Sequence, residues 1–308
     1  MINDALQQLI LQMDAQNKLL YAKELTGGVS ANVMYVEIEQ KGDRIQKKIV
    51  REYGEIDRKR NPKVAKDEYE LLHMLHTQGF AVPKPYYYAL QSSVDWDKPY
   101  LVIEYVEGST DFPEDPSPSY IFQLAEQLSC IHKLDISRAD LSFLPRLHDD
   151  YGKRIGNRPE TLDESLQEGE IRDVLEKVWP LPQHNNSALL HGDFWPGNVL
   201  WKNGRIAAVI DWEDAQTGDP LADLANVRLE LLWAFGLEAM HSFTDHYLKH
   251  NEIDISTLPY WDLCAALRPA SKLAGWGLDT RTEQKMRKRH KRFVAQAFEK
   301  IKQPSEEA

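Results

Sequence analysis

The sequence predicts an α+β chain in two lobes: a small N-terminal lobe built on an antiparallel sheet with a helix, and a larger, mainly helical C-terminal lobe. Three observations predict it. From Tyr21 to Arg51, runs rich in β-branched and aromatic residues alternate with turn residues, the pattern of a strand meander. A buried-strand pattern from Pro99 leads through Gly108 into a Pro/Asp/Ser-rich stretch at 111–119, which reads as a boundary. Beyond it, apolar residues recur at helical spacing almost to the C terminus, interrupted by one hairpin pattern near 199–210. We assign residues 1–104 to the N-terminal lobe, 105–110 to a hinge and 111–308 to the C-terminal lobe.

Bulk properties narrow the partners. The 308 residues suffice for two lobes with a real core. A formal charge of -11 argues against general nucleic-acid binding and suits neutral or cationic partners. Two cysteines, Cys130 and Cys264, suggest neither a disulfide framework nor a cysteine zinc site, and fit a reducing compartment. The first 20 residues lack the basic start and unbroken apolar run of a signal peptide, and no run of about 18 apolar residues occurs anywhere. The expectation is a cytoplasmic protein with no membrane partner.

Each element has its own signature. Leu6, Leu9, Ile10, Met13 and Leu19 or Leu20 put an amphipathic helix over 2–20. Strands follow from Tyr21, over 33–38 and over 45–51, with Thr26-Gly27-Gly28-Val29-Ser30 between the first two. Alone, that loop reads as an ordinary hairpin turn; it is neither a Walker A loop nor a Rossmann fingerprint. Lys47 and Lys48 read as solvated residues of an edge strand. A helix over 66–78, with Tyr69, Leu72, Leu75 and His76 on one face, stops at Gly79 and carries Glu68, which can reach Arg51 if the helix packs on the sheet. In the large lobe, helices are expected over 120–134, 162–178, 219–237, 256–278 and 282–301. Asp219-Pro220 supply a cap and a first-turn proline. The basic run 281–292 reads as a solvated helix face. Core packing accounts for most of the tryptophans.

The chemistry concentrates between Leu190 and Leu221. Val199–Trp201 and Ile206–Ile210 form a hairpin pattern around Lys202-Asn203-Gly204. Asp193 and Asn198 then sit on the loop before it, and Asp211 follows it. Together with the upstream glycines, a cation at a strand end and an acid on the next helix, these make the ordered set that phosphoryl transfer from ATP needs.

HGDFWPGN, residues 191–198, resembles the His-Gly-Asp-x-x-x-x-Asn loop of the aminoglycoside phosphotransferase family, whose fold is protein-kinase-like and whose relatives include choline, homoserine and macrolide kinases. VIDWEDAQTGDPLADLA, residues 209–225, resembles that family's Ile-Asp-Trp/Phe-Glu segment followed by Gly-Asp-Pro and Asp-Leu-Ala. The resemblance runs from Leu25 to the last helices. It implies Asp193 as catalytic base and Asn198 and Asp211 as Mg2+ ligands, hard oxygen donors suited to that ion. It further implies Arg51, paired with Glu68, as the phosphate anchor where kinases more often have lysine. Gly27, Gly28 and Ser30 would lie over the phosphates, and the backbone of Glu104 to Val106 would meet the base.

By resemblance His191 organises the loop. Asp219 and Asp223 read as a helix cap and a tie for the loop. The implied function is an ATP- and Mg2+-dependent small-molecule kinase, with GTP as the other nucleotide to consider. Its acceptor is a hydroxylated molecule: an aminoglycoside or macrolide, or a choline-like or other small alcohol. Two rival readings stand beside it: a nucleotide-binding pseudoenzyme acting through protein contacts, and a protein kinase, against which the lack of Asp-Phe-Gly and Ala-Pro-Glu segments argues.

Overall fold

In a computed structural model of the protein, residues 2–25, 31–42, 44–90 and 98–303 are described. The glycine-loop residues Gly27, Gly28 and Ser30 lie outside them. The chain forms two compact units, Met1–Ser109 with Leu200–Glu213, and Thr110–Val199 with Asp214–Ala308. The segment 200–213, grouped with the C-terminal lobe from sequence, thus clusters with the first unit.

The first unit opens with α1 (Ile2–Met13). It stops well short of residue 20, because the Asp14 side chain and carbonyl capture the amides of Gln16 and Asn17 in a turn. Strands β1 (Lys18–Leu25), β2 (Ala31–Gln40) and β3 (Arg44–Tyr53) make the expected meander. Two short helices' worth of chain follows as α2 (Glu55–Arg60) and the longer α3 (Val64–Thr77), then β4 (Pro85–Ala89) and β5 (Tyr100–Glu104).

The five strands pair antiparallel in the order β1-β2-β3-β5-β4, so β3 is central. That corrects the edge-strand reading of Lys47 and Lys48: Lys47 is exposed, but Lys48 is buried with its ammonium over the Tyr86 ring. Leu6, Leu9 and Ile10 of α1 close one face of the sheet over Met34, Val36, Ile38, Val50, Tyr100 and Val102. Helix α3 lies against β4 and β5; it buries Leu71, Leu72 and Leu75 but leaves His76 exposed, against expectation.

The second unit begins with α4 (Pro118–His132), capped by Ser117, whose hydroxyl accepts from the Tyr120 amide. Then come α5 (Leu147–Gly156) and α6 (Glu168–Val178), followed by β6 (Ala188–Leu190). The hairpin of β7 (Val199–Lys202) and β8 (Arg205–Val209), which from Leu200 on belongs to the first unit, turns through Asn203 and Gly204, both at positive φ, as an Asn-Gly turn requires. Strand β9 (Gln216–Gly218) pairs antiparallel with β6.

Four helices complete the unit: α7 (Leu221–Ala234), α8 (Leu237–His250), α9 (Leu258–Leu267) and α10 (Thr280–Lys302). The chain cannot run on as one helix past 234, because Gly236 at φ 106 donates its amide back to Leu231 and Leu232. Helix α7 packs on α8, α9 and α10, and α4 packs on α8. The basic run lies on α10, whose buried stripe is His290, Phe293, Val294 and Ala297.

Candidate active site

In the first unit, the site is built around one guanidinium. Arg51 sits on central β3, opposite Val33 and Leu101, and is 4% exposed. Its Nη1 donates to Glu68 Oε1 at 2.9 Å, and the Tyr53 hydroxyl donates to the other oxygen of Glu68 at 2.6 Å. Nη2 lies 3.0 Å from Asp211 Oδ1 and also pairs with Glu213. Burial alone would lower the guanidinium's pKa, but Glu68, Asp211 and Glu213 hold it well above its ordinary value. Burial pushes Glu68 up to about 7, although Arg51 opposes the shift.

Asp211 leaves β8 at φ 66, a left-handed conformation that aspartate tolerates better than most side chains. Its side chain remains 43% exposed, available to a ligand in a way that Glu68, at 2%, is not. Arg60 Nη2 donates to the Glu213 carbonyl at 2.9 Å and steadies the same segment. Glu104 ends β5, donating its amide to the Lys84 carbonyl and accepting from the Lys84 amide. Val106 follows in the irregular stretch, half-buried. Nearby, Ser109 and Trp201 exchange two backbone hydrogen bonds, at 3.0 and 2.8 Å.

In the second unit, the pairing of β6 with β9 sets the loop 191–198 beside the start of α7. Asp223, one turn into α7, accepts from the amides of His191 at 2.7 Å and Gly192 at 3.0 Å. Its burial would raise its pKa, but hydrogen bonds from His132 and the loop keep it below the ordinary carboxylate value. His132 Nδ1 in turn meets the Tyr247 hydroxyl at 2.6 Å. His191 is fully buried, and its Nδ1 accepts from the Asp193 amide, the geometry of an organiser. Gly192 has φ 82, and a Cβ there would fall 2.1 Å from the Asp214 carbonyl oxygen. Only glycine fits. Asp219 Oδ1 accepts from the Leu221 amide at the entrance to α7.

Asp193 itself is held at both oxygens. Asn198 Nδ2 donates to its Oδ2 at 3.1 Å and to its carbonyl at 2.9 Å, and Arg268 Nη2 donates to its Oδ1 at 3.1 Å. Burial would lower the Arg268 pKa; Asp193, Tyr151, Asp214 and Glu230 reverse that and raise it. Burial, then the charge of Asp193, pushes the Glu230 carboxyl up to about 8.

The geometry therefore brings Arg51, Glu68 and Asp211 together in one unit, and Asp193 with Asn198 in the other. Sequence reasoning missed Arg268 and Glu230, and it did not join Glu213 to Arg51. Glu230 left a signal, as the one acid in the mostly apolar stretch 224–234. Arg268 left little: it closes α9, 75 positions from its partner.

Comparisons with known proteins follow the same lines. Residues 22–267 match the sequence profile of the phosphotransferase enzyme family. Acyl-CoA dehydrogenase family member 11 of Rattus norvegicus is 30% identical over 244 residues, covering 68% of this chain; the chain spans 30% of that relative's length. Hygromycin-B 4-O-kinase of Escherichia coli is 27% identical over 172 residues, 50% of this chain and 49% of the relative.

Among solved structures, amicoumacin kinase hAmiN in complex with AMP-PNP, Ca2+ and Ami superposes with a TM-score of 0.67 at 16% identity, covering 94% of this chain and 93% of that one. The GDP and kanamycin complex of APH(2")-IIia gives 0.64 at 19% identity, with 96% of each chain covered. A five-stranded antiparallel sheet in one unit and a mainly helical second unit are the two-lobed, kinase-like architecture of these structures. By its profile match, and with the HGDFWPGN loop in place, the chain belongs to the phosphotransferase enzyme family.

Proposed function

We propose that the protein is an ATP- and Mg2+-dependent kinase that moves the γ-phosphate to a hydroxyl of a small molecule. The observation that carries this is the Asp193 carboxylate, fixed through Asn198 and Arg268 on a loop that Asp223 anchors. A carboxylate so held can accept a hydrogen bond from an acceptor hydroxyl, orient it in line and take its proton as the phosphorus–oxygen bond forms. In a loose transition state there is little further covalent work for the protein, so fixed position supplies most of the catalysis.

The nucleotide side is assigned by residue chemistry. Three carboxylates, Glu68, Asp211 and Glu213, share the Arg51 guanidinium, leaving an excess of negative charge that a hard divalent cation offsets. Asp211 is the exposed member and the ligand we assign. Asn198 commits its Nδ2 to Asp193 and keeps its carbonyl oxygen for the ion. Bound Mg2+ neutralises phosphate charge. Arg51 adds a fixed cation toward the phosphates, Gly27, Gly28 and Ser30 supply backbone and hydroxyl donors, and the backbone of Glu104 and Val106 meets the base, by resemblance to kinases.

Acceptor class is the open variable. The relative named hygromycin-B kinase supports an aminoglycoside-like acceptor, and the net charge of -11 suits a cationic one. The rat relative's name brings a hydroxylated acyl-CoA onto the same panel. The test is Mg2+-dependent turnover of ATP and GTP against hygromycin B, macrolides, hydroxylated amines, sugars, amino-acid alcohols and hydroxyacyl-CoA, with peptides as controls. Asp193→Ala should cut kcat at least about 100-fold and leave nucleotide affinity unchanged. Tight nucleotide binding with no acceptor turned over would favour the pseudoenzyme; labelling of peptides alone would favour a protein kinase.

A further inference from the structure

Away from the residues discussed so far, α4 and α8 bring one carboxylate and two imidazoles together. His246 and His250 lie one turn apart on the same face of α8, and Glu126 meets them from α4. His246 Nε2 is 3.2 Å from Glu126 Oε1 and 3.3 Å from His250 Nε2, and His250 Nε2 is 4.0 Å from the same carboxylate oxygen. Phe122, one turn before Glu126, stacks on the His246 ring at 4.3 Å with 8° between the planes, which fixes the imidazole's orientation.

Hydrogen bonding alone explains this cluster poorly. Two Nε2 atoms that face each other need opposite protonation states, in a position where water is an easier partner. A single ion explains all three separations better. Ligand atoms about 2.0–2.1 Å from a tetrahedral metal lie about 3.4 Å from one another; the 3.2 and 3.3 Å edges match that spacing, and the 4.0 Å edge between His250 and Glu126 is a wider angle at the same ion.

We propose that Glu126, His246 and His250 form a site for a divalent transition-metal ion of the zinc type, clipping α4 to α8. Two imidazole nitrogens and one carboxylate suit Zn2+ and its neighbours, whereas Mg2+ and Ca2+ prefer all-oxygen shells. The Glu126 and His250 side chains are 53% and 42% exposed, so the ion enters from solvent and completes its shell with water. The clip bears on the rest of the unit, because the same two helices supply His132 and Tyr247. His132, bonded to Tyr247 through Nδ1, meets Asp223 through Nε2, and Asp223 holds the loop carrying Asp193. The site stands whether or not the kinase assignment does.

The test uses the full chain, freed of metal with a chelator and then titrated with ZnCl2 by calorimetry without nucleotide. Wild type should bind one Zn2+ per chain at this site. Glu126→Gln and His250→Gln, both on the surface and compatible with folding, should each weaken that binding about tenfold or more. Excess Zn2+ should raise Tm by a few degrees in wild type and not in the variants, while equal Mg2+ does neither. Co2+ should give the visible absorption of a low-coordinate nitrogen/oxygen site, lost in His250→Gln. Zinc affinity and Tm shift unchanged in both variants, or no Zn2+ bound by wild type, overturns the proposal.

Discussion

Gly192 concentrates two requirements in one residue. Its φ of 82 favours glycine, and the Asp214 carbonyl occupies the place of a side chain. Gly192→Ala must move either the loop or Asp214. Because Gly192 and Asp193 are adjacent, that displacement reaches the carboxylate directly. We expect a stability loss of about 3 kcal/mol in urea unfolding and a drop in kcat/KM of at least about 100-fold. Wild-type values for both would show that the loop tolerates the extra methyl. Lys48 presents the opposite case: a buried ammonium with an aromatic face as its neighbour and, among the described residues, no hydrogen-bond partner for its Nζ. Burial pulls its pKa down to about 8.

At the scale of elements, α10 carries a pH-sensitive contact. His290 is fully buried, with Nε2 on the Leu166 carbonyl and its ring stacked over Trp233. Burial pushes its pKa down to about 4, below the ordinary 6.5. A depressed histidine gives stability that is fully present above the unfolded pKa and lost as pH falls through the folded one. Between about pH 6.5 and pH 4, wild type should therefore lose up to about 3 kcal/mol that His290→Leu does not lose. Chemical denaturation of both proteins at pH 7 and pH 4.5 checks it; equal acid losses would remove His290 from the account.

The elements also show how far a sequence can be read. The meander, the Asn-Gly hairpin and α10 carry periodicity or turn chemistry within a few residues, and they were legible. Helix α5 and strands β6 and β9 were not: three-residue strands have no period, and they exist because β6 and β9 find each other across the chain. The same divide runs through the site. Asp193, Asn198 and Asp211 announce themselves in a contiguous motif, whereas Arg268 becomes a partner of Asp193 only once α9 is packed. Lys48 was misread for a related reason. Its neighbours in sequence are those of an edge strand, but strand order, which sequence does not print, put β3 at the centre.

At the scale of the whole molecule, 48 acidic against 37 basic residues make a long-range field as well as local pairs. Such a field concentrates cations near the surface and is screened once the Debye length falls to about 8 Å or less. With a cationic acceptor, kcat/KM should fall several-fold between low and 0.3 M KCl; with a neutral acceptor it should barely change. Steady-state kinetics across that range decides, and an equal salt response for both acceptors would mean that the global charge plays no part in capture. Among the described residues no helix is long and apolar enough to cross a membrane.

Asp223 has one more consequence. Among the described residues its two oxygens face N–H groups: the Gly192 amide on one, the His191 amide and the His132 ring on the other. Asparagine has the same size and shape, but either orientation of its amide would turn an NH2 toward one of those donors. The joint beneath the loop is thus a polarity gauge, one that separates two isosteric side chains by the direction in which they can share a hydrogen.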